Sequence, residues 1–213
     1  VGARVARAFR DVQDLTERAA LDKGDLGALA AADALAGIAG HRHRARWEVA
    51  GVEAPTALMP EVEIREATPL LHAPTEGQGI VADYASMSLT LRRHPLTLIR
   101  DALDERQVRT ARELCELPDG TAVHAAGIVI TRQRPGTAGG VTFVTLEDDT
   151  GHVNLIVWKS IADKQRRILL GSRLLGAIGE IQRQGDVLHV IAGRLRDHSH
   201  LLGRLQTRSR DFH

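Results

Sequence analysis

Aromatic rings are scarce in this sequence. Three Phe, two Trp and one Tyr make up 3% of 213 residues, so each ring needs a reason for where it stands. Cysteine is scarcer still: Cys115 is alone, which excludes an internal disulfide and fits a reducing, cytoplasmic setting. No run of about 18 apolar residues exists, which excludes a membrane-spanning helix. The opening residues, VGARVARAFR, lack an initiator Met and the apolar stretch of a signal peptide, so the chain reads as a piece of something longer.

What is present is ordinary for a globular protein: 43% hydrophobic and 26% charged residues, net charge +1. The balance hides an asymmetry. Residues 1–117 carry 15 Lys/Arg and 18 Asp/Glu, whereas residues 118–213 carry 13 and 9. The basic C-terminal part favours a polyanionic partner, although a solvated surface produces the same pattern.

Residues 1–51 read as short helices. Asp11 and Asp22 are N-cap candidates with Asp14 and Asp25 three residues on, and Leu26, Leu29, Ala30 and Leu35 mark an apolar stripe. Residues 52–79 hold four of the seven prolines and read as a linker. A helical connecting segment, 80–117, follows, in which Cys115 beside Leu114 and Leu117 is expected to be a buried structural thiol. After Pro118 the period changes from helical to alternating. TAVHAAGIVI, VTFVTLE, HVNLIVW, SRLLGAIGEI and DVLHVIAGRL predict five strands, with SIADKQRRILL as a helix between the third and fourth. That element order is an OB-fold barrel, here 118–203, with Gly127 and Gly179 where a small barrel bends and a basic tail, 204–213, beyond it. The predicted class is therefore α+β in several parts: an all-α segment, then a five-stranded OB-fold barrel.

The stretch GVTFVTLEDDTGHVNLIVW holds one Phe and one Trp of this ring-poor chain. Alternation puts Val144, Leu146, Val153, Leu155 and Val157 on one face and Phe143, Thr145, His152, Asn154, Ile156 and Trp158 on the other, the surface where OB-folds hold oligonucleotides or oligosaccharides. In a binding reading, Phe143 stacks a base at about 1–3 kcal/mol and Asn154 bonds a base edge. Arg132 and Arg134 in the preceding loop reach phosphates, with Trp158 and Lys159 at the end of strand three. The other reading has the rings packed under the helix and the arginines solvated.

The same residues bear on rival chemistries. Asp149-Thr150-Gly151 spells the DTG of homodimeric aspartic proteases, but flanking Glu147, Asp148 and His152 suit a solvated hairpin turn better. Glu147, Asp148 and Asp149 are adjacent on a turn and diverge, which argues against a magnesium site. HRH at 41–43 and HSH at 198–200 give no i, i+4 pair, so no metal ligands are assigned.

Several segments together resemble a family. RQRPGTAGGVTFVTLEDDTGHVNLIVW, LTLRRHPLTLIRDAL with its HPL, FRDVQDLTERAALDKGDLGALAAADAL and the final TRSRDFH are similar to the C-terminal region of the error-prone C-family bacterial DNA polymerases (the ImuC type), relatives of the replicative polymerase III alpha subunit. The resemblance implies a helix-hairpin-helix-like region ending in residues 1–51, an OB domain on single-stranded template near primer-template DNA, and a role in damage-induced mutagenesis and translesion repair synthesis. It implies that nucleotidyl transfer rests on Mg2+ held by palm aspartates absent here, so this chain is expected to bind DNA without catalysis or cofactor of its own. It also implies that Arg42 and Arg44 of HRHRAR contact phosphates at a helix start, the alternative being a solvated helix with Trp47 in the core. The barrel is further similar to the anticodon-binding barrel of class II aminoacyl-tRNA synthetases, where residues matching Phe143, Asn154 and Arg132 meet unstacked bases. The linker lacks the glutamine-led clamp-binding peptide of replicative relatives, offering only Gln78, so an inactive Y-family-like protein is the implied recruiting partner. The alternative is a free-standing OB-fold protein that binds single-stranded nucleic acid or serves as a docking adaptor.

Overall fold

The computed structural model describes residues 7–52, 69–185 and 187–203. The tail 204–213 and most of the expected linker lie outside them. The chain forms two compact units, Val1–Thr90 and Leu91–His213, so the helical segment expected over 80–117 is divided between them. Among the described residues no helix is long and apolar enough to cross a membrane.

Among the described residues the first unit is all-α: α1 (Val12–Ala19), α2 (Lys23–Ala31), α3 (Ala36–Ala39), α4 (Arg42–Gly51) and α5 (Glu76–Met87). Its helix starts follow local chemistry. The Asp11 carboxylate accepts the Asp14 N–H at 2.7 Å, and Asp22 and Asp25 close a reciprocal capping box. A cap of this kind stabilises by about 1 kcal/mol. Val12, Leu15, Leu26, Ala30, Leu35, Ala45 and Val49 form the core. Helix α5 begins four residues before the apolar pattern at Ile80, because Thr75 and Gln78 form another capping box. Gln78 accepts the Thr75 N–H at 2.9 Å.

The second unit opens with a 3-10 turn (Pro95–Ile99), α6 (Arg100–Asp104) and α7 (Ala111–Glu116). The HPL triplet is a structural start signal. His94 Nδ1 accepts the Leu96 N–H at 3.2 Å, Pro95 takes the first position where no N–H is needed, and Leu96 is fully buried. Burial pushes the His94 pKa down despite nearby Glu147, Asp149 and Asp148, which keeps that acceptor lone pair available.

Five strands follow: β1 (Ala122–Gln133), β2 (Thr142–Glu147), β3 (His152–Val157), β4 (Leu174–Gln184) and β5 (Val187–Asp197). They close a barrel in the order β1-β2-β3-β5-β4, antiparallel except for the parallel β3–β5 seam. Between β3 and β4 the expected helix is two short ones, α8 (Lys159–Lys164) and α9 (Arg166–Gly171), interrupted at Gln165. The Gln165 side chain bonds the Leu195 backbone in both directions, at 3.3 and 2.9 Å. The interior is aliphatic, with Val144, Leu146, Val153, Leu155, Val157, Leu175 and Leu195 joined by Leu114 of α7 and Leu169 of α9. A second cluster sets Leu96, Leu103 and Val108 against Ala126 and Leu174, so the connecting helices form part of the barrel's wall. Gly179 sits at a register shift between β4 and β5, where a Cβ would lie 2.0 Å from the Ile191 carbonyl oxygen. Only a residue without a side chain allows that approach.

Two expectations are corrected. Cys115 is exposed: Leu114 takes the inward position on α7, and the next residue, about 100° further round the helix, faces solvent. The turn joining β2 to β3 is not a solvated acidic loop. Asp148 is 4% exposed, and its carboxylate accepts the Ala111 N–H at 2.7 Å, the Thr150 N–H at 2.7 Å, the Thr150 hydroxyl at 2.8 Å and the Gly151 N–H at 2.9 Å. Arg100 pairs with both Asp148 and Asp149. Asp148 and the DTG triplet after it thus tie the hairpin to α6 and α7, the Asp148 carboxylate being occupied by N–H donors and that of Asp149 by the Arg100 guanidinium.

Candidate nucleic-acid interface

The outer face of the barrel is built from cross-strand rows, because directly opposed residues of paired strands point the same way. One row runs Gln133, Phe143, Ile156, Ile191 across β1, β2, β3 and β5. The next runs Thr131, Thr145, Asn154, His189. Phe143 therefore stands in the open, 37% exposed, flanked by an amide on one side and two half-buried isoleucines on the other. That is a flat apolar platform on a polar sheet, the shape that a splayed base covers.

Beside it, Thr145 Oγ1 donates to Asn154 Oδ1 at 3.2 Å. With its oxygen so engaged, the Asn154 amide group presents donors along the same face. Trp158 follows the end of β3 and is 52% exposed, so of the two readings of this ring the structure has the exposed one.

The cations gather at one end of these rows. Gly140, in the loop between β1 and β2, has φ +88°, and a Cβ there would lie 3.1 Å from Arg134 Nη2 and 3.0 Å from Lys159 Cδ. Arg134 and Lys159, 25 positions apart in sequence, thus meet over one glycine, both exposed and near Phe143's end of β2. At the other end, Glu147 opposes His152 and Asp149 pairs with Arg100. The unopposed cations of the face thus lie by the β1–β2 loop, while the acids of the β2–β3 turn are paired with Arg100.

Two predicted contacts belong elsewhere. Arg132 does not reach out from the rim: its Nε donates to the Leu169 carbonyl at 2.7 Å and Nη2 to the Ser172 carbonyl, so it caps the C-terminal end of α9. Carbonyls at a helix end lack intrahelical partners, and a nearby guanidinium is their natural donor. Arg42 is 1% exposed; it donates to the Gly79 carbonyl at 3.0 Å and pairs with Asp83, itself bonded by Thr90 at 2.7 Å. It joins α4 to α5 within the first unit and is closed to any phosphate. Arg44 is exposed but pairs with Glu48 at 2.7 Å, one turn along α4. His41 and His43 bond the Leu71 and His72 carbonyls at 3.1 and 2.9 Å, so the HRHRAR run is mostly an internal clasp, with Trp47 half-buried.

The sequence places Thr145 on this face beside Phe143, whereas Gln133 and Thr131 of β1 were not among the expected site residues. The alternation that exposed Phe143 also exposes them, once the β1–β2 register is known.

The OB-fold nucleic acid binding domain family matches residues 123–197, the barrel. Across its whole length the chain is homologous to proteins named error-prone DNA polymerase: 54% identical over 213 residues to that of Alkalilimnicola ehrlichii, 52% over 210 to that of Methylococcus capsulatus and 50% over 212 to that of Pseudomonas fluorescens. It covers 99–100% of itself in these matches and spans 20–21% of the relatives' length, in their C-terminal region. The resemblance read from the HPL, barrel and flanking segments is borne out.

Proposed function

We propose that this chain, homologous to the C-terminal region of error-prone DNA polymerases, is a nucleic-acid-binding part of such an enzyme and holds single-stranded template on its barrel. The row Gln133, Phe143, Ile156, Ile191 carries the reading, since it exposes a ring on an otherwise ring-poor protein. A base stacks on Phe143, the Asn154 amide donates to its edge, Trp158 offers a second platform, and Arg134 and Lys159 take the flanking phosphates. In the longer protein, magnesium-dependent nucleotidyl transfer belongs to other domains, and this part feeds template to them during synthesis across damage in the cytoplasm. Primer-template DNA lies alongside, the first unit being helix-hairpin-helix-like. An inactive Y-family-like protein is the proposed recruiting partner. The relatives carry this segment within chains about five times its length (20–21% covered), which supports the polymerase reading over a free-standing adaptor.

The test is anisotropy of a labelled single-stranded oligonucleotide titrated with the full chain across a salt series. Two phosphate contacts predict a slope of log K against log salt of about −1.4, and Arg134→Ala reduces it by about 0.7. Phe143→Ala weakens binding by at least about fivefold, or about 1 kcal/mol, with the melting temperature unchanged. Absence of binding at low salt, or full affinity in Phe143→Ala, overturns the reading.

A further inference from the structure

A second basic surface lies on the opposite side of the barrel, away from Phe143. It is a groove of about 890 Å³, walled by the segment between α6 and α7, by β1 and β4, and by the end of β5 with the turn after it. Arg106, Arg109, Arg196, His124, His198 and His200 line it. Its floor is apolar where Val123 and Ile178 show through.

The imidazoles form an ordered relay. His124 Nδ1 donates to the Arg106 carbonyl at 3.0 Å, which leaves its Nε2 as an acceptor. That nitrogen faces His198 Nε2 at 3.4 Å, so His198 supplies the hydrogen. The His200 ring lies beside that of His198, tilted by 56° with centroids 6.4 Å apart. Gly176 makes room for the pair, since a Cβ there would sit 2.7 Å from the His198 ring and 3.2 Å from His124 Nε2. His198 is 7% exposed, a fixed group at the back of the groove.

The charges do not cancel. Arg109 shares Glu113 at 3.2 Å, and Arg106 lies 4.0 Å from Glu105 with one donor on the Ala102 carbonyl. The side chain of Arg196, exposed on β5, makes no ion pair or hydrogen bond among the described residues. The acid of the lining, Asp197, is turned to Ser199, accepting its N–H at 2.9 Å and its hydroxyl. Arg106 and Arg196 thus face the relay with Asp197 turned to Ser199, while Arg109 is paired with Glu113.

From this geometry we propose that the groove is a phosphate-binding site, in which Arg196 and Arg106 take the anion and the histidine pair gains a proton as it binds. Phosphate suits the surface better than carboxylate does. It offers oxygens in three directions to donors from three walls, and its second charge rewards protonation of a neighbouring imidazole. The protein's own groups hold the relay neutral: burial, then His124, Arg106 and His200, push the His198 pKa down to about 4, and burial likewise lowers His124. An anion removes that repulsion, so binding tightens as pH falls, by at most tenfold per pH unit for each proton taken up. The ligand is a free phosphate compound or the backbone phosphates of a nucleic acid.

The test uses the full chain with pyrophosphate, followed through the imidazole resonances in NMR, with calorimetry in buffers of different ionisation enthalpy. The expected result is saturable movement of the His198 and His124 signals, at least threefold tighter binding at pH 6.0 than at 7.5, and net proton uptake. Arg196→Ala, an exposed change outside the Phe143 face, weakens pyrophosphate at least fivefold with the fold intact. A parallel titration with a single-stranded oligonucleotide separates the sources. If Arg196→Ala weakens it too, the backbone enters the groove; if only pyrophosphate is affected, the ligand is a free phosphate compound. No saturable shift at either pH, or equal pyrophosphate affinity in Arg196→Ala, overturns the proposal. Because pyrophosphate has no base to stack, that outcome leaves the Phe143 reading standing, and loss of the Phe143 effect leaves this one standing.

Discussion

Replacing Asp148 tests how the barrel is fastened to the helices before it. In Asp148→Ala, the Ala111 N–H loses its acceptor in a buried setting, and the Thr150 and Gly151 N–H groups lose theirs at the partly buried turn. One stranded buried donor costs about 1–3 kcal/mol. Arg100 loses one of two carboxylates while its Nε and Nη1 are already buried without partners, which adds to the penalty. The expected total is about 3–5 kcal/mol, the range for breaking a buried charged network. Asp148→Asn separates the contributions. Its retained oxygen still accepts from Thr150 and Gly151, but its new N–H2 faces the Ala111 N–H, so a loss of about 2–3 kcal/mol is expected. Urea unfolding gives the totals, and hydrogen exchange localises them, with the Ala111 amide exposed first in both variants. Stability within about 0.5 kcal/mol of the parent in both, or Asn worse than Ala, refutes the reasoning.

Arg42→Ala takes the guanidinium from the buried Asp83 carboxylate, which keeps the Thr90 hydroxyl, and is expected to cost the first unit about 1–3 kcal/mol, read as loss of its helical exchange protection while the barrel's is unchanged. If the variant is as stable as the parent and instead binds DNA less well, the buried pairing is wrong. Acid should destabilise the second unit. His198 titrates near 4 when folded and near 6.5 when unfolded, so its contribution is present above about pH 6.5 and drains away toward 4, up to about 3 kcal/mol, with His124 and His94 shifted in the same direction. A melting temperature flat between pH 7.5 and 4.5 counts against it. Gly179→Ala drives a methyl into the Ile191 carbonyl and should cost at least about 3 kcal/mol in denaturant melts; a neutral result means the β4–β5 register is misread.

Much of the barrel was legible because its signals are local. Val144, Leu146, Val153, Leu155 and Val157 alternate with polar neighbours, and that period alone gives both the strands and their inner face. Caps at Asp11 and Asp22 were readable for the same reason, since donor and acceptor lie three residues apart. What misled were side chains whose partners are distant. Arg42 sits in a basic run that looks solvated, and its counter-ion is 41 residues away. Asp148 looks like a turn acid until Ala111, 37 residues before it, supplies a donor. Arg132 has the composition of a phosphate contact, and only the return of α9 beneath it shows otherwise. Cys115 failed on helical phase: one residue from a core leucine is a third of a turn from the core. Phe143 was open between two readings because alternation gives a face without telling what covers it. The groove lay hidden for a related reason, its arginines and histidines arriving from three separate segments.

The parallel seam between β3 and β5 sets the order in which the barrel can be completed. Asn154 meets His189 across 35 residues of chain, and until β5 has been made, the far edge of β3 has no strand to pair with. During synthesis the β2–β3 hairpin must therefore wait with an open edge while α8, α9 and β4 emerge, some 2–7 s at about 5–20 residues per second. Closure is a late, long-range event, slow by its loop entropy and exposed to wrong partners while it is pending. Nascent chains halted before Val187 are expected to be the ones that aggregate.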